Sequence, residues 1–137
     1  MTSKRLGWQP HYRTGIERFD DDHRRLTRLL HRLNHLMTSQ PETPLTFDLL
    51  EHFTQSCEKH FRDEEQWMAE HRYPIPLAEA HRDDHSLLID ILRPNDRPTS
   101  PDATRGAEML MVFLRRWLTH HVERFDTRLR PDTDIDE

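Results

Sequence analysis

The sequence is poor in cysteine, in glycine and in long hydrophobic runs. Cys57 is the only cysteine among 137 residues, so no disulfide can form within the chain, and only three glycines occur. No apolar run approaches the roughly 20 residues that cross a bilayer, and the first ten residues, MTSKRLGWQP, lack the apolar segment of a secretion signal. We therefore expect a cytoplasmic protein that folds without disulfides.

A concentration of positive charge is also absent. The formal net charge is -5, and the arginines are spread along the chain. Nucleic acids and anionic membranes are bound by basic stripes or patches, so neither is an expected partner. Charged residues make up 33% of the chain and hydrophobic residues 34%. This balance suits a small helical domain whose outer faces all lie in water.

Proline marks the breaks between predicted helices, because it stops one helix and fits the first turn of the next. Three segments contain at least two prolines each: SQPETP (39–44), RYPIP (72–76) and RPNDRPTSP (93–101). Thr43 and Pro44 are typical of a helix cap followed by a first turn. The sequence therefore predicts four helices, at about 15–38, 44–71, 76–92 and 101–129.

Four long helices with short connections favour an all-α, up-down-up-down antiparallel four-helix bundle. We expect a single domain over residues 1–137, made of an N-terminal arm (about 1–14), the bundle (about 15–129) and an acidic tail (130–137). Leu29 and Leu36 lie away from the apolar stripe of the first helix and are candidates for self-association. A monomer is nonetheless expected, since isolated exposed leucines are common.

Histidine is unusually abundant, with 11 copies. At 100° per residue, each predicted helix carries an apolar stripe with at least one histidine on it. The histidines on these stripes are His23, His60, His81, His85 and His121. Two carboxylates accompany them, Glu64 one turn after His60 and Asp126 five residues after His121. His31, His35 and His120 point off the stripes, and we expect them to be exposed.

A single histidine on an apolar face is more often a hydrogen-bonded core residue than a metal ligand. Seven ionisable groups converging in one core are different, because burying ionised carboxylates without compensating charge costs several kcal/mol each. Cations would supply that charge, and a mixed set of imidazoles and carboxylates fits a pair of iron ions. If both carboxylates and an oxo or hydroxo ion bridge two octahedral irons, one coordination place remains open.

Four segments carry a resemblance to a known family. In their order and ligand spacing, IERFDDDH, HFRDEEQWM, YPIPLAEAHRDDH and FLRRWLTHHVERFD resemble hemerythrins, especially the single-domain bacterial ones. The resemblance covers about residues 8–129. It implies a non-heme di-iron protein that binds dioxygen reversibly for storage, delivery or sensing and is not an enzyme. The resemblance implies dioxygen as the ligand and leaves open the identity of a reductase or other protein partner.

The resemblance also implies roles for individual residues. His81, His85 and His121 would hold one iron, His23 and His60 would hold the other, and Glu64 and Asp126 would bridge the two ions. The cofactor would be two iron ions, Fe2+ or Fe3+, with an oxo or hydroxo bridge. The residues implied for a dry oxygen pocket are Leu26, Phe61, Trp117, Leu118 and Val122.

Two other functions remain open at this point. The first is a di-iron enzyme acting on peroxide or nitric oxide, or an iron donor for cluster repair. Ferritin-like di-iron oxidases use paired Glu-x-x-His motifs, and this sequence contains none, which favours reversible binding. The second is a bundle with structural zinc, which is weaker because such sites are closed and usually rich in cysteine.

The position of Asp126 raises a question of helix geometry. Five residues on a regular helix correspond to about 140° of rotation, so Asp126 should not share a face with His121. We therefore expect the last helix to widen into a π-turn here, or Asp126 to reach in from the helix flank.

Overall fold

The structure is a computed structural model that describes residues 13–93 and 103–129, apart from the side chains of 103–107. The described residues form helices and no strand. The four helices are α1 (Glu17–Ser39), α2 (Pro44–Glu70), α3 (Ile75–Leu92) and α4 (Ala103–Arg124), and a 3₁₀ turn (Asp126–Arg128) follows α4. The predicted all-α class is confirmed. Most of the predicted arm and all of the acidic tail lie outside the described residues.

The ends of α1, α2 and α3 fall close to the predicted ones. Pro44 occupies the first turn of α2, and the Thr43 hydroxyl accepts a hydrogen bond from the Thr46 backbone N–H at 3.3 Å. This confirms the predicted cap. Among the described helices, none has the length and apolar character needed to cross a membrane.

The helices enclose two apolar clusters. α1 packs against α2 and α4, and α2 packs against α3, as expected for a four-helix bundle. The larger cluster contains Phe53, Phe61 and Leu114, and the smaller one contains Phe19 and Trp67. The up-and-down order of the helices remains a prediction.

Leu29 does not face outward as predicted. Its side chain is buried, with 7% exposure, and belongs to the larger apolar cluster. The prediction was wrong because α1 contacts two neighbouring helices, so its buried surface is wider than one stripe. Leu29 is therefore not available for self-association.

Asp20 anchors the residues that precede α1. Its carboxylate accepts hydrogen bonds from the Thr14 backbone N–H (2.8 Å), the Thr14 hydroxyl (2.9 Å) and the Gly15 backbone N–H (3.2 Å). Asp20 and Thr14 are both buried. These contacts fix the direction in which the chain enters the bundle.

We expect Asp20→Ala to lower the free energy of unfolding by about 1–3 kcal/mol, because buried donors lose their acceptor. Urea denaturation of the purified variant measures this. Asp21→Ala is the matched control, since Asp21 is exposed and pairs with exposed Arg24, and its effect should stay within about 0.5 kcal/mol. Equal stability of the two variants would show that the anchor contributes nothing.

Candidate metal centre

All seven residues predicted as ligands come together in the interior. We call them the buried cluster, and none of them is more than 2% exposed. The four helices and the 3₁₀ turn all contribute. The members are His23 from α1, His60 and Glu64 from α2, His81 and His85 from α3, His121 from α4 and Asp126 from the turn.

Three imidazoles face one another on one side of the cluster. The Nε2 atom of His121 lies 3.1 Å from the Nε2 atoms of both His81 and His85. Asp126 Oδ1 lies 2.8 Å from His81 Nε2 and 2.9 Å from His121 Nε2, and Glu64 Oε1 lies 3.1 Å from His85 Nε2. Adjacent ligand atoms, each about 2.1 Å from an octahedral ion, are about 3 Å apart. We call these five residues, His81, His85, His121, Glu64 and Asp126, the three-histidine group. Its atoms have the spacing of ligands around one cation.

Two imidazoles form the other side of the cluster. His23 Nε2 lies 2.9 Å from Asp126 Oδ2, and His60 Nε2 lies 3.4 Å from Glu64 Oε2. His23 Nε2 also lies 3.8 Å from Glu64 Oε2. We call these four residues the two-histidine group. Its potential ligand atoms all lie within 4.8 Å of one another, as do those of the three-histidine group.

Glu64 and Asp126 belong to both groups. Each carboxylate turns one oxygen toward the three-histidine group and the other oxygen toward the two-histidine group. A carboxylate oriented in this way can bridge two cations about 3.5–4 Å apart. The arrangement therefore has the form of a site for two neighbouring metal ions.

Asp126 reaches the cluster because α4 ends just before it. The Phe125 backbone N–H still bonds to the His121 carbonyl at 2.8 Å, as in a regular helix, and the 3₁₀ turn begins at the next residue. The turn carries the Asp126 side chain into the interior, where it is 1% exposed. The predicted π-turn, and the alternative of an approach from the helix flank, were wrong.

Several buried polar atoms of the cluster lie close to other cluster atoms but form no hydrogen bond with them, although buried groups without a hydrogen bond usually cost about 1–3 kcal/mol each. These atoms include His23 Nε2, His60 Nε2, Glu64 Oε2 and Asp126 Oδ1. Each of the four lies within 3.4 Å of a potential ligand atom on another residue of the cluster. Metal cations would satisfy them, so the residues present fit a pair of metal ions.

The cluster holds protons when no metal is bound. Burial alone lowers the pKa of His23, but the adjacent carboxylates of Asp126 and Glu64 outweigh it and raise the pKa to about 9. Burial also lowers the pKa of His60, while attraction to Glu64 and a hydrogen bond to Asp22 raise it to about 10. Burial raises the carboxyl pKa values of Glu64 and Asp126, yet nearby imidazoles hold both well below the usual range. Metal ions must displace these imidazole protons.

These shifts predict the pH dependence of the metal-free protein. A histidine whose pKa is raised on folding stabilises the fold fully below its unfolded value of about 6.5, and this contribution is lost as pH rises through the folded value. For His23, His81 and His60 the folded pKa values are about 9, 9 and 10. Glu64 and Asp126, whose pKa values are lowered, contribute stability above their ordinary values and lose it in acid.

Metal-free protein should therefore lose unfolding free energy between about pH 6.5 and about pH 10 in urea titrations. Zinc-loaded protein is the control, because its imidazoles carry metal in place of the displaced protons and should show little of this loss. Equal alkaline losses in the two forms would contradict this origin of the pH dependence.

Three further carboxylates contact the cluster from outside, and sequence reasoning missed them. We call Asp22, Glu65 and Asp84 the outer carboxylates. Each is partly exposed and lies next to a cluster residue in the sequence, but this position alone does not show which histidine it contacts. The contacts are Asp22 Oδ2 to His60 Nδ1 (2.8 Å), Glu65 Oε2 to His85 Nδ1 (2.8 Å) and Asp84 Oδ2 to His121 Nδ1 (2.6 Å).

A small cavity of about 10 Å³ adjoins the cluster, close to the volume that one water molecule needs. His23 and His60 line it from the two-histidine group. Four of the five predicted pocket residues also line it, namely Leu26, Phe61, Trp117 and Leu118. Val122 is buried but is not among the lining residues. The lining residues that sequence reasoning missed are Phe53, Cys57, Leu88 and Leu114.

The histidines predicted to lie outside the site do so. His31, His35 and His120 are exposed. His120 directly precedes a cluster residue, yet its side chain faces solvent, as the helical periodicity predicts. Neither of the two metal-ligand groups in the described part of the chain includes any of them.

Comparisons with known proteins agree with the composition of the site. A family described as the hemerythrin HHE cation binding domain matches residues 14–132. The protein named bacteriohemerythrin from Stenotrophomonas maltophilia (strain R551-3) is 27% identical over 121 residues, which cover 88% of this chain and 76% of that protein. A comparison with solved structures gave no significant match.

Proposed function

This chain belongs to the hemerythrin family, and we propose that it binds dioxygen reversibly at two iron ions held by the buried cluster. His81, His85 and His121 would hold one ion, His23 and His60 would hold the other, and Glu64 and Asp126 would bridge them. The observation that carries this proposal is the sharing of both carboxylates by the two groups. When bound, an iron pair supplies the electrons that dioxygen takes up and returns on release.

The position of the cavity supports binding at the two-histidine group. Both histidines of the two-histidine group, His23 and His60, line the cavity, whereas only His121 of the three-histidine group does. The two-histidine group has one imidazole fewer than the other group, so it leaves more room for an external ligand. A small molecule such as dioxygen would therefore approach the ion that this group holds.

The walls of the cavity favour a dry site. Leu26, Phe61 and Leu118 present apolar surface, and such walls exclude the water and anions that promote irreversible oxidation. Burial raises the pKa of the Cys57 thiol, so this residue stays protonated and adds no charge. Among the described residues, the cavity wall beyond the cluster therefore holds no charged acid or base, which suits binding better than catalysis.

The proposal is tested by adding dioxygen to reduced, iron-loaded protein and recording the near-ultraviolet and visible spectrum. Charge-transfer bands should appear with dioxygen and fade when it is removed, over repeated cycles. Irreversible bleaching together with turnover of added hydrogen peroxide would favour the enzymatic alternative. A protein that takes up no iron would overturn both functions.

A further inference from the structure

Each outer carboxylate holds a cluster histidine that belongs to the next helix along the chain. Asp22 on α1 contacts His60 on α2, and Glu65 on α2 contacts His85 on α3. Asp84 on α3 then contacts a histidine of α4. The hydrogen bonds therefore connect all four helices in sequence through the site.

These contacts determine which ring nitrogen carries the proton. An ionised carboxylate only accepts hydrogen bonds, so a neutral imidazole paired with it must carry its proton on Nδ1. The lone pair of Nε2 then points toward the cluster, where a metal ion needs it. A carboxylate behind the ring also increases the basicity of that nitrogen.

The two groups receive unequal support. Two of the outer carboxylates, Glu65 and Asp84, act on the three-histidine group, and Asp22 alone acts on the two-histidine group. The Nδ1 atoms of His23 and His81 are buried and have no hydrogen-bond partner. One histidine in each group is thus held only by packing and by its contacts inside the cluster.

We propose that Asp22, Glu65 and Asp84 are positioning residues that hold their histidines ready for metal, each strengthening the binding of the ion in its own group. The inference rests on the metal-binding part of the proposed function and not on dioxygen binding. The contacts differ from ordinary surface ion pairs, which contribute little. Each imidazole is buried, although the carboxylate side chains of Asp22, Glu65 and Asp84 are 16%, 34% and 25% exposed.

The test is a titration of metal-free protein with Co2+, which reports the number and affinity of the ions bound. Wild-type protein should bind two Co2+ per chain. Removing an outer carboxylate should weaken one of the two sites by about 10- to 100-fold. Asp21→Ala and Asp83→Ala are matched controls, because they remove an exposed neighbouring carboxylate from the same segments, and they should bind as wild type does.

Two double variants separate the groups. Glu65→Ala with Asp84→Ala should weaken one site and leave the other at wild-type affinity, because both carboxylates act on the three-histidine group. Asp22→Ala with Asp84→Ala should weaken both sites. The inference is overturned if the single alanine variants bind both ions within about twofold of wild type, or if the first double variant weakens both sites equally.

Conservative variants separate positioning from loss of the fold. Asp22→Asn, Glu65→Gln and Asp84→Asn keep an oxygen that can accept from Nδ1, so each should lose less affinity than the alanine variant. In zinc-loaded wild-type protein, proton NMR should show downfield Nδ1–H signals for His60, His85 and His121, and each alanine variant should remove one. If no such signals are present in the wild type, the outer carboxylates do not hold these rings.

The outcomes also distinguish this inference from the proposed function. Wild-type protein that binds two Co2+ but gives no oxygen-dependent spectrum when loaded with iron would overturn dioxygen binding alone. Unchanged Co2+ affinity in the alanine variants, with a normal oxygen-dependent spectrum of the wild type, would overturn the positioning role alone.

Discussion

Replacing His121 with alanine should remove about half or more of the bound iron, whereas replacing His120 with alanine should leave the iron content unchanged. The His121 ring is 1% exposed, and its Nε2 atom lies 3.1 Å from two other imidazole nitrogens and 2.9 Å from Asp126 Oδ1. Trp117 stacks on the ring with centroids 4.4 Å apart, which holds it in place. The alanine variant therefore loses a pre-positioned ligand. His120 cannot replace it, because its side chain is exposed to solvent.

Metal analysis of iron-loaded, desalted protein measures this difference. The His120 variant is a close control, because it makes the same chemical change one position away on α4. His31→Ala is a second control on an exposed part of α1. Equal loss of iron in all three variants would refute the assignment of helix faces.

Replacing Glu64 with alanine should weaken the binding of both ions, with less than about one iron retained per chain. Glu64 is fully buried, and its two oxygens face different groups: Oε1 lies 3.1 Å from His85 Nε2, and Oε2 lies 3.4 Å from His60 Nε2. In the proposed centre its loss would remove one ligand from each ion. It would also leave one buried carboxylate fewer to balance the positive charge of the cluster. Losing a buried ionic partner usually costs about 3–5 kcal/mol.

Two further variants show what the Glu64 result means. Glu64→Gln keeps the size of the side chain and removes its charge, so it should also bind fewer than two ions per chain. Asp63→Ala is the adjacent control, since Asp63 pairs with exposed Lys59 and is partly exposed. Circular dichroism checks that each variant stays helical. Two tightly bound ions in Glu64→Ala would contradict the bridging role.

Most of the fold could be predicted from the positions of the prolines and from the helical periodicity of the apolar residues. Prolines mark the breaks between the helices, and the ends of α1, α2 and α3 fall within two residues of the predicted positions. The end of α4 could not be predicted in the same way. Neither proline nor glycine separates Arg124 from Asp126, and the change to a 3₁₀ turn depends on tertiary contacts that periodicity does not contain.

The same distinction applies to the site. His23, His60 and His121 could be placed because a buried histidine lies on its own helix's apolar stripe, which is a local property. The outer carboxylates could not be placed in this way. Whether Asp22 contacts His60 depends on how two neighbouring helices are rotated about their axes. Leu29 was misplaced for a related reason, since the width of a buried helix face depends on how many neighbours cover it.

We propose that the buried cluster holds two metal ions side by side. Anomalous diffraction at the iron absorption edge, from crystals of iron-loaded protein, tests it most directly. We predict two peaks about 3.5–4 Å apart, one among His81, His85 and His121 and the other beside His23 and His60, with Glu64 and Asp126 between them. A single peak, or peaks away from these residues, would contradict the claim.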